Sequence, residues 1–432
     1  MRSLQFVEPT PDGYLAAIAA AASKGSTRIR FAGTNLLARN VAQQAAANFP
    51  SLAAEAFDAP LAGPDAAKAP PVVVLFETDG DKLSDALIGY LDAPDVALIA
   101  PISDRFWSKR ALFIVSQPKA GTHLIFELAK ALGYVGGGEC RDIPVPGHWY
   151  FLEFTNAHTS APDFFIDTVR RAPHGNRAHP FPHHPTLFNY RNPLDIVASE
   201  ANYYHEDGKT IFYGYLAHRS YEERLVRLID DPWLLGSIRH RTAQFVAWLD
   251  FANVLPLSFE ELVGEKGGGD DAAQSDTVWS LMLRLHKPGD PDEIRMTVFN
   301  PNSPTFRFGR IGGHQKRFTP QAWEKFKALP QDFMAAYGFQ EKPASGPWMP
   351  SGAAAYRRRV PRYSKADVES FMIQWNLMGY NIIKLGGRYI GIPPNFPPID
   401  LAKAPPELVK QLIVADHPDT VRFLIHARSF LR

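Results

Sequence analysis

The residues able to do chemistry gather in a few short stretches. In SQPKAGTH (116–123) an apolar run ends in a Pro/Gly turn, and an amphipathic pattern begins directly after it. Such a junction reads as strand, turn, helix. A helix N-terminus offers N–H groups without intrahelical acceptors and the positive end of the helix dipole. A turn glycine lets the backbone approach an anion closely, and Lys119 adds a full charge, so phosphate or sulfate binding is the chemistry implied. The plain alternative is an ordinary turn with a surface lysine. The loop is not a Walker A motif, because its lysine precedes the glycine. A second stretch, YRNPLDIVAS, puts Arg191 at a strand end and Ser199 eight residues on. Arginine binds phosphate in a bidentate fork, or Arg191 pairs with Asp195 as a helix-end ion pair. A third group is histidine-rich: His174, His179, His183 and His184 lie among prolines at 173–185. The prolines interrupt regular ligand spacing, and no cysteine or acidic residue lies within the group, which disfavours a metal site.

The elements that must position these residues alternate along the chain. TRIRFAG (27–33), PVVVLFE (71–77) and DVALIAPI (95–102) read as strands, with helices at 35–49 and 81–91 between them. This predicts a small α/β layer over 1–109, with parallel strands. It has neither a GxGxxG nor a GxxxxGK[ST], so an accessory role is expected of it. The block 110–340 repeats strand–turn–helix at 111–134 and at 186–205. A helix, a short strand and an acidic turn follow over 241–265. From 341 a linker rich in Pro, Gly, Ala and Arg leads to a C-terminal module. There the pattern predicts a helix at Lys365–Leu377, a Gly-Gly hairpin at 380–393, and short helical segments.

Composition bounds the function. The chain has 432 residues, with 46 Lys+Arg against 45 Asp+Glu. That balance gives no electrostatic case for nucleic-acid or membrane-surface binding. A single cysteine, Cys140, leaves no intramolecular disulfide and no cysteine-based zinc site. No run reaches the roughly 18 apolar residues of a membrane span, and the N-terminus lacks signal-peptide features. A soluble cytoplasmic protein is expected. The 37 prolines exceed the usual share of about 5%. They concentrate in two linkers, the histidine segment and the C-terminal block.

Four elements in order resemble the sulfotransferases that use PAPS (3′-phosphoadenosine 5′-phosphosulfate). SQPKAGTHL resembles their "PKSGTT" loop, and YRNPLDIVAS their "RNPxDxxxS" element. LPLSFEELVGE (255–265) looks like their "YEDL" turn, and FRFGRIGGHQKRFT (306–319) resembles their "RKGxxGxxxxxFT" segment. The resemblance spans just over half the chain. It implies an α/β fold with a central parallel sheet flanked by helices, the P-loop kinase-like sulfotransferase fold, carrying the small N-terminal α/β domain and a C-terminal α+β module. It implies that Lys119, Ala120, Gly121, Thr122 and His123 hold the 5′-phosphosulfate, and that Arg191, Ser199, Arg307 and Gly309 meet the 3′-phosphate. Lys119 would also serve the leaving group. PAPS is the expected donor, without a metal.

Three departures mark a divergent member. Ala120 replaces the usual serine or threonine, Leu124 stands where many members have a Trp, and Phe308 replaces the lysine beside Arg307. The base is expected at His179, by match of RAHP (177–180) to the family's "KTHLP" strand; an imidazole accepts a hydroxyl proton near neutral pH. His183, His184, Glu139 and Glu153 are the alternatives. The acceptor is a hydroxyl compound, a glycan, glycolipid or small molecule. His148, Trp149, Tyr150, Phe151, Tyr203, Tyr204 and His205 are candidates to line its site, although half of them would serve equally as core. YNIIKLGGRYIGIP (380–393) faintly resembles a unit of bacterial glycan-modifying proteins, and the run YRRRVPRY (356–363) is either an anion-attracting surface or a solvated linker. The competing readings are a kinase-like phosphotransferase and a non-catalytic nucleotide-binding scaffold.

Overall fold

The structure, a computed structural model, describes residues 2–57, 72–93, 95–102, 110–138, 144–151, 184–210, 212–234, 236–243, 245–250, 253–300, 309–339, 372–378, 380–385, 387–393, 396 and 405–430. His174, His179, His183, Glu139, Glu153, Arg307, Phe308 and the run 356–363 lie outside them.

The chain divides into two compact units. One comprises 1–110, 126–135 and 261–307; the other comprises 111–125, 136–260 and 308–432. In the first, strands β1 (Ser3–Val7), β2 (Arg28–Ala32), β3 (Ala53–Phe57), β4 (Val72–Leu75) and β5 (Ala97–Pro101) form a parallel sheet in the order β1-β5-β4-β2-β3. Central β4, VVVL, is buried throughout, as a strand covered on both faces requires. The expected parallel α/β layer is present, with β1, β3 and the helix Pro11–Ser23 added to the elements read from sequence. Thr10 and Asn35 start their helices by accepting N–H groups from Gly13 and Ala38, which offsets donors the helix leaves open. Later chain completes this unit: Leu4 and Gly289 exchange backbone hydrogen bonds of 2.9 and 2.8 Å, and Trp279 on the helix Asp271–Leu285 donates to the Tyr90 carbonyl.

The second unit holds the other sheet. Strands β6 (Leu112–Ser116), β7 (Val135–Gly138), β8 (His148–Phe151), β9 (Thr186–Tyr190) and β10 (Val254–Ser258) run in the order β10-β9-β6-β8-β7. The pairs β10–β9, β9–β6 and β6–β8 are parallel. Every residue of β6, β9 and β10 is buried. Helices cover the sheet around a core that includes Phe188, Tyr190, Phe245, Trp248 and Tyr337. The expected α/β fold with a central parallel sheet is what the chain forms.

The C-terminal module is a four-stranded antiparallel sheet, β11 (Met372–Leu377), β12 (Tyr380–Leu385), β13 (Arg388–Ile392) and β14 (Ile413–Ala415), with the helix Pro418–Phe430 against it. The Gly-Gly hairpin is as expected: Leu385 pairs with Arg388, and Gly387 takes φ +81°. The helix expected at Lys365–Leu377 is corrected over 372–377, which is a strand, while 365–371 lie outside the described residues. Phe371, Ile373, Trp375 and Leu377 recur at every second position, the period of a strand, not a helix.

Candidate functional site

The site assembles where three neighbouring strands end. β6 delivers the loop Gln117–Gly121, β9 delivers Arg191, and β10 delivers the turn Phe259–Leu262. The carboxyl edge of a parallel α/β sheet is where such folds bind ligands.

The loop holds its shape against backbone preference. Lys119 sits at φ +61° and Gly121 at φ +97°, both in the left-handed region. For a lysine that conformation costs about 1 kcal/mol or more. Glycine is required at 121: a Cβ there would lie 2.7 Å from the Phe259 ring. The Ala120 N–H donates to the Gln117 carbonyl at 3.1 Å, and the Asn189 side chain donates to the Ala120 carbonyl at 3.0 Å. Ala120 is fully buried, so the departure from serine leaves no hydroxyl there that would need a partner. Helix Thr122–Ala131 follows, with the Thr122 hydroxyl 2.9 Å from that of Ser116 and His123 half-buried. The Lys119 ammonium lies 3.5 Å from the centroid of the Tyr203 ring.

Arg191 approaches the same loop. Its Nη1 donates to the Lys119 carbonyl at 3.4 Å and its Nη2 to the Arg310 carbonyl at 2.8 Å. The guanidinium stacks on Phe259, 4.1 Å from the ring centroid. Asn192 caps the helix Pro193–Ala201 by accepting the Leu194 N–H, so the arginine is held at the turn rather than on the helix. The ion pair with Asp195 is long, 3.8 Å. Asp195 instead accepts the Gly312 N–H, the His314 N–H and the His314 ring at 2.7–2.9 Å. Burial alone would raise the Asp195 pKa, but the His314 hydrogen bond and Arg191 outweigh it and hold the carboxyl below its ordinary value. Asp195 is therefore a carboxylate, which only accepts, and His314 must carry its proton on Nδ1.

Lys119, Ala120, Gly121, Thr122 and Arg191 are thus brought together, and Gly309 begins the segment that reaches Arg191. Ser199 lies half-buried within the helix, and among the described residues no side-chain hydrogen bond joins it to Arg191. His184 is at the wrong end. It precedes β9, and its Nδ1 accepts the Ala111 N–H at 3.0 Å ahead of β6. Five-residue strands at about 3.3 Å per residue separate it from the loop by over 13 Å, so its candidacy as the base is overturned. Of the acceptor candidates, Tyr150, Tyr203 and Tyr204 are buried in the core. Tyr203 is at the site, beneath Lys119.

Phe259 and Glu260 also belong to the site, and the sequence alone points to no role for them. Their signal is the "YEDL"-like turn, but their contacts, Phe259 with the Arg191 guanidinium and Glu260 with the Asn192 N–H, are long-range. Glu260 is buried. Its Oε1 accepts the Asn192 N–H at 3.1 Å, and its Oε2 has no partner among the described residues. Burial pushes its pKa up to about 8, despite the nearby Arg191. Unfolded, the group ionises near its ordinary value. Between there and about pH 8 the unfolded chain sheds a proton that the folded chain keeps, so stability falls as pH rises through that window. Glu260→Gln should remove this part of the slope. In urea unfolding at pH 5.5, 7 and 8.5 the variant should gain on the parent as pH rises; a constant difference between them would refute the assignment.

The sequence matches no protein-family model and no curated protein. Among solved structures, mouse sulfotransferase SULT7A1 complexed with PAP is similar over 57% of this chain and 89% of that one, at 18% identity and a TM-score of 0.37. Retinol dehydratase in complex with androsterone and inactive cofactor PAP is similar over 56% of this chain and 85% of that one, at 12% identity and a TM-score of 0.29.

Proposed function

We propose that the protein transfers the sulfuryl group of PAPS to an acceptor hydroxyl, releasing PAP. The observation that carries this reading is the pairing of two cationic positions at one sheet edge. A lysine loop at a helix N-terminus and a buried arginine share the Lys119 carbonyl. A donor with a 5′-phosphosulfate and a 3′-phosphate needs two such positions. The residues fit: Arg191 Nε is buried without a hydrogen-bond partner among the described residues, a state that buried polar groups rarely keep unless a ligand or water meets them. Gly121 lets the loop pack directly against the Phe259 ring on which Arg191 stacks, since a Cβ there would strike that ring.

In this reading the loop N–H groups and Lys119 receive the 5′ group, and Arg191, with the segment from Gly309, receives the 3′ group. Ser199 and Arg307 complete that set by family likeness. During transfer the acceptor oxygen–sulfur bond forms as the bond from sulfur to the phosphate oxygen breaks. The electron pair goes to that phosphate oxygen, where Lys119 offsets the growing charge. The acceptor proton passes to a base, for which His179 remains the candidate. The acceptor class is a glycan, a glycolipid or a small hydroxyl compound. No helix among the described residues is long and apolar enough to cross a membrane.

The test is direct. PAP should raise the thermal midpoint by several degrees at saturating concentration, and ATP should not. Radiolabelled PAPS should transfer its label to fractions containing the acceptor. Equal protection by ATP and PAP would favour a phosphotransferase instead.

A further inference from the structure

Arg191 is steered from a distance. Its guanidinium is anchored by two backbone carbonyls, one in the lysine loop and one at Arg310. The second anchor lies in a segment with little intrinsic shape: Gly309 and Gly312 take φ +52° and +71°. What fixes that segment is a single carboxylate. Asp195 Oδ2 accepts the Gly312 N–H at 2.8 Å, and Oδ1 accepts the His314 N–H at 2.9 Å and its Nδ1–H at 2.7 Å. Asp195 stands four residues after Arg191, on the helix that Arg191 precedes. The contacts close a ring, from Arg191 through the Arg310 carbonyl, the glycine segment, His314 and Asp195, back to Arg191. The His314 ring is buried and meets Phe318 and Trp323 edge-on, at 6.1 and 6.0 Å between centroids, so it has little room to turn.

We propose that the His314–Asp195 pair is a positioning device that aims Arg191, and that it thereby sets the preference for a 3′-phosphorylated nucleotide over one without that phosphate. This rests on the cofactor reading above. His314 touches no ligand in this scheme. Without its ring donor, Asp195 is left a buried carboxylate with fewer hydrogen bonds, and the segment must shift to satisfy it. The Arg310 carbonyl moves with it, and a guanidinium displaced by as little as 1 Å loses its fork geometry on phosphate.

A preference ratio separates this from a merely structural role. PAP and AMP differ by the 3′-phosphate alone, and the ratio of their affinities does not depend on the fraction of protein folded. Calorimetry should give the parent protein a PAP-over-AMP preference of about tenfold to a hundredfold, the range of one charge-assisted contact set. His314→Phe should lose most of that preference while AMP affinity stays within about threefold. His314→Asn, whose amide can place an N–H near the Nδ1 position, should restore it. If the phenylalanine variant does not fold, His314→Leu takes its place. A lowered melting temperature with an unchanged ratio would overturn the proposal and leave the cofactor reading standing. A parent protein without any preference for PAP would overturn both.

Discussion

Lys119→Met is expected to cut the rate of sulfuryl transfer by at least about a hundredfold, the usual cost of removing one placed donor from a developing charge. PAP affinity should change less, by about tenfold at most, because the bond-breaking oxygen carries more charge in the transition state than in the bound donor or product. The ammonium is held ready: it lies over the buried Tyr203 ring, 3.5 Å from the centroid, on a backbone already in the left-handed region. That backbone also supplies a control. Lys119→Gly removes the charge and relaxes the φ of +61°, so charge and strain can be told apart. Both variants should lose activity alike in single-turnover assays with labelled PAPS. Retention of more than a tenth of the parent rate by either one would place the leaving-group cation elsewhere.

Arg191→Ala should weaken PAP binding by about tenfold to a hundredfold and leave AMP binding nearly unchanged. Two things are lost together, the guanidinium and its stacking on Phe259 at 4.1 Å. Arg191→Lys should fall between, since an ammonium keeps the charge but cannot bond the carbonyls of Lys119 and Arg310 in a planar fork. Calorimetric titration of each variant with both nucleotides decides the matter. An equal loss for PAP and AMP would mean that Arg191 only scaffolds the loop, and the 3′-phosphate assignment would be withdrawn.

What could be read from sequence was what is local. The SQPKAGTH junction and the YRNPLD turn carry their own signals, a strand period giving way to a helix across Pro, Gly or Asn, and both form where expected. The parallel order of the sheets followed from alternation of elements. Contacts between distant segments could not be read. Nothing near His314 announces a partner 119 residues earlier, and the "FEEL" turn gives no hint that Glu260 meets the Asn192 backbone. Sequence leaves His184 open as the base, because neighbourhood along the chain says nothing about which end of a strand a residue occupies. The helix expected over Lys365–Leu377 differs over 372–377 for another reason: the apolar residues there alternate at the period of a strand.

The parallel pairing that builds the site also dictates when it can exist. Ser116 and Asn189 stand opposite each other across β6 and β9, 73 residues apart in the chain, and β10 must then add to β9. Such partners cannot meet through a tight turn, and the entropy of closing long loops comes before any reward from pairing. The lysine loop and its helix leave the ribosome long before the strand that brings Arg191 and the turn that brings Phe259. A growing chain therefore has no complete donor site until the segment through His314, which anchors Arg191, has emerged. Nucleotide added during refolding should slow unfolding without hastening folding, because it recognises only the finished edge.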